Sequence, residues 1–346
     1  ATPTSYILYT AEGRGGFDNG QKINASSCQM KLEPGKLYSF KVTAYNKGGE
    51  SFPSETLAAL YNPTAKKTIL VVNNFHRLAS PQVIDNDHQQ GFDLDADPGV
   101  SYGLTAGWSG KQIVFDKNKM GDESSSGLGY CGNEMVGNFV AGNDFNYTVE
   151  HGRAIAAINK YNIASCSSEA IISGKVNMTK YQAIDLINGL ERYDGYTPEF
   201  YKAFTSSMIG KLQGYTQHGG RLLVSGSYNG SDMKTDTEKN FLANTLKLSY
   251  APSDSIQPTP TINGLGLSFD YYNTLNDKHY AATHPEILQP EQQGICAIQY
   301  TNGASAAVGY KGADYRSFTM GFPLECVKEE KMRNLLMAGI LKYLLE

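Results

Sequence analysis

The stretch TILVVN (Thr68–Asn73) decides the fold, because its four consecutive apolar residues form a short unbroken run between polar ones. Such a run is typical of a strand that is buried on both faces of a parallel sheet. Three later runs have the same character: AIDLIN (183–188), RLLVSG (221–226) and SFTMGF (317–322). Helical patterns lie between these runs, and a last one, from Lys328 to Leu345, follows the final run. The alternation predicts an α/β fold with a doubly wound, mostly parallel sheet.

Residues 5–60 alternate apolar and polar positions with a period of two, between Gly, Asn and Pro turns. The segment Leu32 to Ser54 (LEPGKLYSFKVTAYNKGGESFPS) resembles a fibronectin type III domain, in which Tyr38 would form the tyrosine corner. The resemblance places SYILYT (5–10) at the third strand, so we expect the chain to begin inside this domain. The predicted domains are a partial fibronectin type III sandwich over 1–62, a linker over 63–67, and an α/β domain over 68–346 with a strand-rich insertion at about 249–312.

The composition excludes several classes of protein. Hydrophobic residues make up 40% of the 346 residues and charged residues 18%, which suits a folded chain with a real core. The net charge of −4 does not indicate the basic surface that nucleic-acid-binding proteins carry. No apolar run is long enough to span a membrane. The five cysteines form no CxxC pair. The 23 tyrosines and the low charge are common on extracellular proteins that meet sugars, so we expect a secreted, periplasmic or outer-membrane surface location.

Ser227 follows an apolar run in RLLVSGSYNGSD (Arg221–Asp232), where hydrolases with parallel sheets place a nucleophile. A nucleophile elbow needs small residues on both sides, and this chain has Ser225 and Asn229 at the two glycine positions. The alternative is a glycine turn in which Ser227 or Asn229 bonds to the backbone. The candidate catalytic partners are His284 and Glu286 of an HPE triplet, and His151. His-Pro is also an ordinary turn pair.

The loop after the first buried run concentrates oxygen ligands. Asp93, Asp95 and Asp97 have the spacing that begins a calcium loop, but Pro98 and Leu104 stand where an EF-hand needs Gly and Glu. The sequence therefore predicts either an irregular Ca²⁺ loop or a hydrogen-bonded loop. Because ligands enter doubly wound sheets at the carboxyl ends of their strands, this loop is also a candidate ligand site.

A glycine-rich excursion over about 98–148 contains Trp108, whose ring is a candidate for stacking on a sugar. Excursions of this length are usually functional or serve as packing flaps, and burial of the loop's own core is the alternative. With Trp108 we group Tyr228 and Asn229 as candidate ligand-binding residues at the carboxyl edge.

Several motifs together resemble the C-terminal region of secreted Bacteroidetes proteins described as xanthan lyase or N-acetylmuramoyl-L-alanine amidase. They are TILVVNNF, GFDLDADPGV, SYGLTAGW, HGGRLLVSGSY and GFPLECVKEEKMRNLLMAGILKYL. The resemblance implies upstream domains, including an amidase domain that carries its own zinc ligands. The sheet domain is similar to class I glutamine amidotransferases, with a flavodoxin-like sheet. Their triad joins a cysteine to the His and Glu of an HPE-like motif, here His284 and Glu286, and Ser227 stands where the cysteine belongs.

The leading hypothesis is a non-catalytic accessory region of a secreted or envelope protein, a pseudoenzyme that binds polysaccharide or peptidoglycan or supports the upstream enzyme domains. It predicts no cofactor besides Ca²⁺. One alternative is a hydrolase that uses Ser227 with a histidine base. Another is a structural module that docks a partner on its open sandwich edge.

Overall fold

A computed structural model describes residues 2–51, 53–75, 82–85, 87–88, 90–93, 146–193, 202–252, 257–274, 276 and 279–346. The first five strands are β1 (Ser5–Glu12), β2 (Gln21–Ile23), β3 (Leu37–Asn46), β4 (Gly49–Glu50) and β5 (Leu57–Leu60). All of their mutual pairings are antiparallel. Tyr38 is buried, and its hydroxyl accepts a hydrogen bond from the Glu33 amide at 3.3 Å, the kind of backbone contact that a tyrosine corner makes.

The middle of the chain alternates strands and helices. Its elements are β6 (Lys67–Asn73), β7 (Gln82–Asp85), β8 (Gln90–Asp93), α1 (Tyr147–Ala156), β9 (Tyr161–Ser167), α2 (Ser168–Ile172), β10 (Ala183–Gly189), α3 (Ser206–Gln217), β11 (Arg221–Gly226) and α4 (Asp236–Phe241). A capping box starts α4, since the Thr235 hydroxyl accepts from the Glu238 amide and the Glu238 carboxylate accepts from the Thr235 amide.

The last part of the chain is rich in strands and ends in a long helix. It contains β12 (Leu248–Ala251), β13 (Thr261–Gly264), β14 (Leu267–Asp270), β15 (Ile287–Pro290), β16 (Ile295–Tyr300), β17 (Ser305–Lys311), β18 (Arg316–Met320) and α5 (Glu330–Leu345). Single helical turns lie at Met178–Lys180, Leu242–Leu246 and Leu324–Cys326.

The prediction of a doubly wound, mostly parallel, flavodoxin-like sheet is wrong. In the described part of the chain, 14 strands form one mixed sheet in the order β14-β13-β16-β17-β18-β11-β10-β6-β9-β5-β3-β1-β2, with β4 beside β3. Parallel pairing joins β9, β6, β10, β11 and β18, and the pairs beyond them are antiparallel. Apolar periodicity identifies a buried strand, but it does not show which strands continue the ladder at each end.

The expected separate sandwich before this sheet is also wrong. Leu60 of β5 pairs with Ile163 of β9, so the N-terminal strands extend the same sheet. The domain boundaries at 62 and 67 stay predictions.

Helices cover both faces of the parallel strands. On one face α1 and α5 bury Ile69, Val71, Ile187 and Phe318, and on the other α2, α3 and α4 bury Leu70, Val72, Leu186 and Val224. Consecutive strand residues thus point into two different apolar layers. Because the strands are parallel, the segments that follow β6, β10, β11 and β18 meet at one carboxyl edge.

Candidate functional site

Three asparagines link the carboxyl edge of the parallel strands. Asn74 Nδ2 donates to Asn188 Oδ1 at 2.9 Å, and Asn188 Nδ2 donates to Asn229 Oδ1 at 2.8 Å. Asn229 Nδ2 then donates to the Met320 carbonyl at 2.8 Å and to the Gly226 carbonyl at 3.2 Å. All three side chains are buried. Asn229 is therefore a cross-link between strand ends, which agrees with the turn interpretation of RLLVSGSYNGSD.

Ser227 lies in the same turn and is fully buried. Its amide donates to the Gly189 carbonyl at 2.8 Å, while its hydroxyl has no hydrogen-bond partner within the described part of the chain. The two candidate histidines bond elsewhere: His284 Nδ1 lies 2.9 Å from Thr283 Oγ1, and His151 is bonded to carboxylates. The structure therefore joins Ser227 to neither base, and its role as a nucleophile stays a prediction.

A cavity of about 240 Å³ opens at the carboxyl edge beside this turn. Three of the residues singled out from the sequence line it: Tyr228, His284 and Glu286. Pro285 of the HPE triplet and Ser231 of RLLVSGSYNGSD also line it, and the remaining lining residues, which sequence reasoning did not identify, are Tyr250, Gln257, Pro258, Asn273 and Thr283. Tyr250 and Gln257 lie in the strand-rich stretch, far along the chain from Tyr228. Only the fold brings these side chains to one cavity.

Glu286 forms a buried wall of the cavity. Its two carboxylate oxygens accept the Gly230 and Ser231 amides, each at 2.7 Å, so the carboxylate fixes the turn that carries Tyr228. Burial raises the pKa of Glu286 to about 7, although the hydrogen bonds from Ser231 and Gly230 oppose that rise. At neutral pH this carboxyl exists in both protonation states. It can then donate or accept a hydrogen bond at the cavity wall.

Tyr228 is held between two side chains. The Arg192 guanidinium lies 4.8 Å from the ring centroid and donates to the Tyr228 hydroxyl at 3.1 Å. On the cavity side, the His284 ring centroid lies 5.9 Å from that of Tyr228. These contacts fix the tyrosine in one orientation, so the cavity has a preformed aromatic wall.

A second cluster, not part of the cavity, surrounds His151. His151 Nδ1 lies 2.7 Å from Asp185 Oδ2 and its Nε2 lies 3.1 Å from Glu325 Oε2, and all three side chains are fully buried. Tyr280 donates its hydroxyl to the other oxygen of Glu325. The sequence pointed to His151 alone. A signal was present, since Asp185 interrupts the apolar run AIDLIN and a buried carboxylate needs a partner.

The two carboxylates keep His151 protonated. Burial by itself lowers the pKa of His151, but the charges and hydrogen bonds of Asp185 and Glu325 outweigh it and raise that pKa to about 10. For Glu325 the signs are reversed. Burial by itself raises the pKa of Glu325, but the His151 imidazolium outweighs burial and holds the pKa of Glu325 below its usual range. His151 and Glu325 are therefore both ionised in the folded protein around neutral pH.

The stability of the fold is expected to fall as the pH rises from 6.5 to about 10. The folded pKa of His151 lies above its unfolded value, so its stabilisation is complete below 6.5 and is lost as the pH approaches about 10. Urea unfolding at several pH values measures this slope. The triple variant His151→Leu, Asp185→Asn, Glu325→Gln lacks every titrating group of the cluster, so its slope should be shallower over that interval. Equal slopes for the two proteins would contradict the assignment.

Other predicted site residues lie outside the described residues. Asp95, Asp97 and Trp108 do so entirely, and of Asp93 only the backbone, at the end of β8, is described. The Ca²⁺ loop and the sugar-stacking tryptophan therefore stay predictions. Within the described ranges, no group of three or more His, Cys, Asp or Glu side chains could hold a metal ion. No helix in those ranges is long and apolar enough to cross a membrane.

No protein family model and no curated protein matches this chain. Among solved structures it is similar to a β-galactosidase from the Antarctic haloarchaeon Halorubrum lacusprofundi, at 15% identity and a TM-score of 0.36 over 58% of this chain and 27% of that chain. It is also similar to the exo-β-1,4-mannosidase Op5Man5 from Opitutaceae bacterium strain TAV5, at 11% identity and a TM-score of 0.36 over 56% of this chain and 32% of that one. A candidate GMP synthase component from Thermoplasma acidophilum shows 9% identity and a TM-score of 0.35 over 57% of this chain and 90% of that one.

This chain spans about a third or less of the two glycosidases. At TM-scores this low, none of the three likenesses supports a fold or a function.

Proposed function

We propose that this chain is a non-catalytic accessory region that binds a neutral glycan in the cavity at the carboxyl edge. The observation that carries the proposal is the lining of the cavity: two tyrosines, Tyr228 and Tyr250, among amide and hydroxyl side chains. A sugar presents apolar C–H faces and a rim of hydroxyl groups. Tyrosine offers an apolar ring with a polar tip, and Asn, Gln, Ser and Thr offer both donors and acceptors.

The charge of the cavity favours a neutral ligand. Among the described lining residues Glu286 carries the one carboxylate, and none is Lys or Arg. An acidic sugar would meet Glu286 with no cation among those residues to offset the repulsion. A neutral sugar hydroxyl can instead bond to this carboxyl in either of its protonation states.

Binding explains the cavity better than hydrolysis by Ser227. The Ser227 hydroxyl is fully buried and is not among the lining groups. A nucleophile must come within hydrogen-bond reach of its base, and His284, the candidate base that lines the cavity, bonds to Thr283 instead. Location in a secreted or envelope protein, and support of an upstream enzyme, belong to this proposal.

The test is calorimetric titration of the full chain with a panel of neutral oligosaccharides and with soluble peptidoglycan fragments. For the glycan that binds, Tyr250→Ala and Asn273→Ala should each weaken the affinity roughly tenfold, because each removes a wall of the cavity. Tyr61→Ala is the matched control, since Tyr61 is 47% exposed and does not line the cavity. Absence of binding to the whole panel would refute the proposal. Equal affinities of the Tyr250, Asn273 and Tyr61 variants would refute the assignment to this cavity.

A further inference from the structure

The opposite, amino edge of the parallel strands carries two adjoining depressions. The first, of about 320 Å³, is lined by Lys67, Tyr181, Tyr215, His218 and Arg221 together with Thr179, Gln182, Gly219, Gly220 and Leu345. The second, of about 340 Å³, is lined by Lys66, Lys67 and Lys160 together with Thr64, Asn159, Tyr161 and Glu346. Lys67 belongs to both, so the two depressions adjoin, and together they are here termed the amino-edge groove.

The amino-edge groove has an excess of positive charge in a chain that is acidic as a whole. Lys66, Lys67, Lys160 and Arg221 line it, against one lining residue with a carboxylate side chain, Glu346. The whole chain has 30 Lys and Arg against 34 Asp and Glu. None of the four cations belongs to an ion pair in the described part of the chain. The excess is therefore local and is not neutralised by salt bridges.

Arg221 is held in a fixed position in the amino-edge groove. It starts β11, where its backbone lies in register with that of Arg316 on the neighbouring strand β18. Burial first, and then the charge of Arg316, lower the pKa of Arg221, while Tyr215 and the carboxylate of Asp314 oppose this change. Arg221 Nη1 donates to the Gly219 and Gly220 carbonyls, which fix the guanidinium in place. Arg316 makes other hydrogen bonds: its Nη1 donates to the Tyr343 and Leu344 carbonyls at the end of α5.

We propose that the amino-edge groove binds a polysaccharide that carries carboxylate groups. Ammonium and guanidinium groups form charge-assisted hydrogen bonds with carboxylates, and Arg can do so through two parallel bonds. The groove also presents Tyr161, Tyr181 and Tyr215, whose rings suit the apolar faces of sugars. This site is separate from the neutral-glycan cavity, which lies at the other edge of the sheet, and does not depend on it.

The charge balance favours an acidic polysaccharide over nucleic acid. Duplex nucleic acid carries one negative charge per ~1.7 Å, and its long-range field acts on the whole protein, whose net charge is −4. A uronate polysaccharide spaces its charges more widely. The local excess of cations in the groove can then attract it with less repulsion from the rest of the surface.

The experiment measures binding of polygalacturonate to the full chain at low and high salt, with dextran as an uncharged polymer and duplex DNA as a second polyanion. The double variant Lys66→Gln, Lys160→Gln should bind polygalacturonate roughly tenfold more weakly at low salt, because it removes two exposed charges. Both lysines are exposed, so the fold should be retained, and thermal melting checks this. The matched control is Lys47→Gln, Lys239→Gln, which removes two exposed lysines that do not line the groove.

The proposal is supported if the groove variant loses affinity and the control keeps it. It is overturned if polygalacturonate does not bind, if both double variants weaken binding equally, or if DNA binds as tightly as polygalacturonate. Tyr250→Ala, which alters the neutral-glycan cavity, should leave polygalacturonate binding unchanged. Failure of the cavity proposal and failure of the groove proposal therefore give different results.

Discussion

Replacing His151 with leucine is expected to lower the free energy of unfolding by about 3–5 kcal/mol. The imidazolium lies between the carboxylates of Asp185 and Glu325, and all three side chains are fully buried. Without it, two negative charges remain in the core with no counter-charge, which is far more costly than loss of a surface ion pair. Urea denaturation and calorimetry measure the change. A fall of roughly 4–7 °C in the melting temperature should accompany it.

His218→Leu is the control for this substitution. His218 is exposed at the end of α3, where its Nδ1 lies 2.7 Å from the Gly214 carbonyl, so its replacement should cost no more than about 1 kcal/mol. The double variant His151→Leu, Glu325→Leu removes one charge of each sign and should recover part of the loss. If His151→Leu were no less stable than His218→Leu, the buried ionic cluster would have no role in stability.

The cluster matters for the shape of the molecule because it joins segments that are distant in the sequence. His151 lies on α1, Asp185 in the middle of β10, and Glu325 in the turn before α5, while Tyr280 reaches Glu325 from the strand-rich part. These segments also support the carboxyl edge on one face of the sheet. A loss of ionic pairing should therefore loosen α1 and the β18–α5 connection together.

The sequence predicts the parallel strands well and their surroundings poorly. The runs at 68–73, 183–188 and 221–226 lie within strands, and the run at 317–322 overlaps β18, which ends at Met320, because an apolar run buried on both faces has few other places to fold. The extension of the sheet depends on pairs such as Leu60 with Ile163, about a hundred residues apart. No local period encodes such a pair, and hence the sandwich and the parallel sheet were predicted as separate units.

The candidate site shows the same division between residues that a local motif marks and residues that only long-range packing brings into place. The HPE triplet and Tyr228 both line the cavity at the carboxyl edge, where turns that follow buried strands bring side chains together, and their predicted roles stay predictions. Tyr250 and Asn273 carry no motif and come from segments whose placement depends on long-range packing. Sequence reasoning missed Glu325, although a signal was present. Glu325 lies in the apolar segment GFPLECV, where a buried carboxylate is costly unless a cation pairs with it.

Replacing Asn229 with alanine is expected to lower the free energy of unfolding by about 2–4 kcal/mol, whereas Ser227→Ala should change it by less than about 1 kcal/mol. Both side chains are buried in the same turn, but within the described ranges only Asn229 is bonded: it accepts from Asn188 and donates to the Met320 and Gly226 carbonyls. Its loss leaves these groups unpaired in the interior. The Ser227 hydroxyl has no partner to lose among those residues, so its removal orphans no group there. Urea denaturation of the two variants makes the comparison, and equal destabilisation would show that the serine hydroxyl has a bonded role that this arrangement lacks.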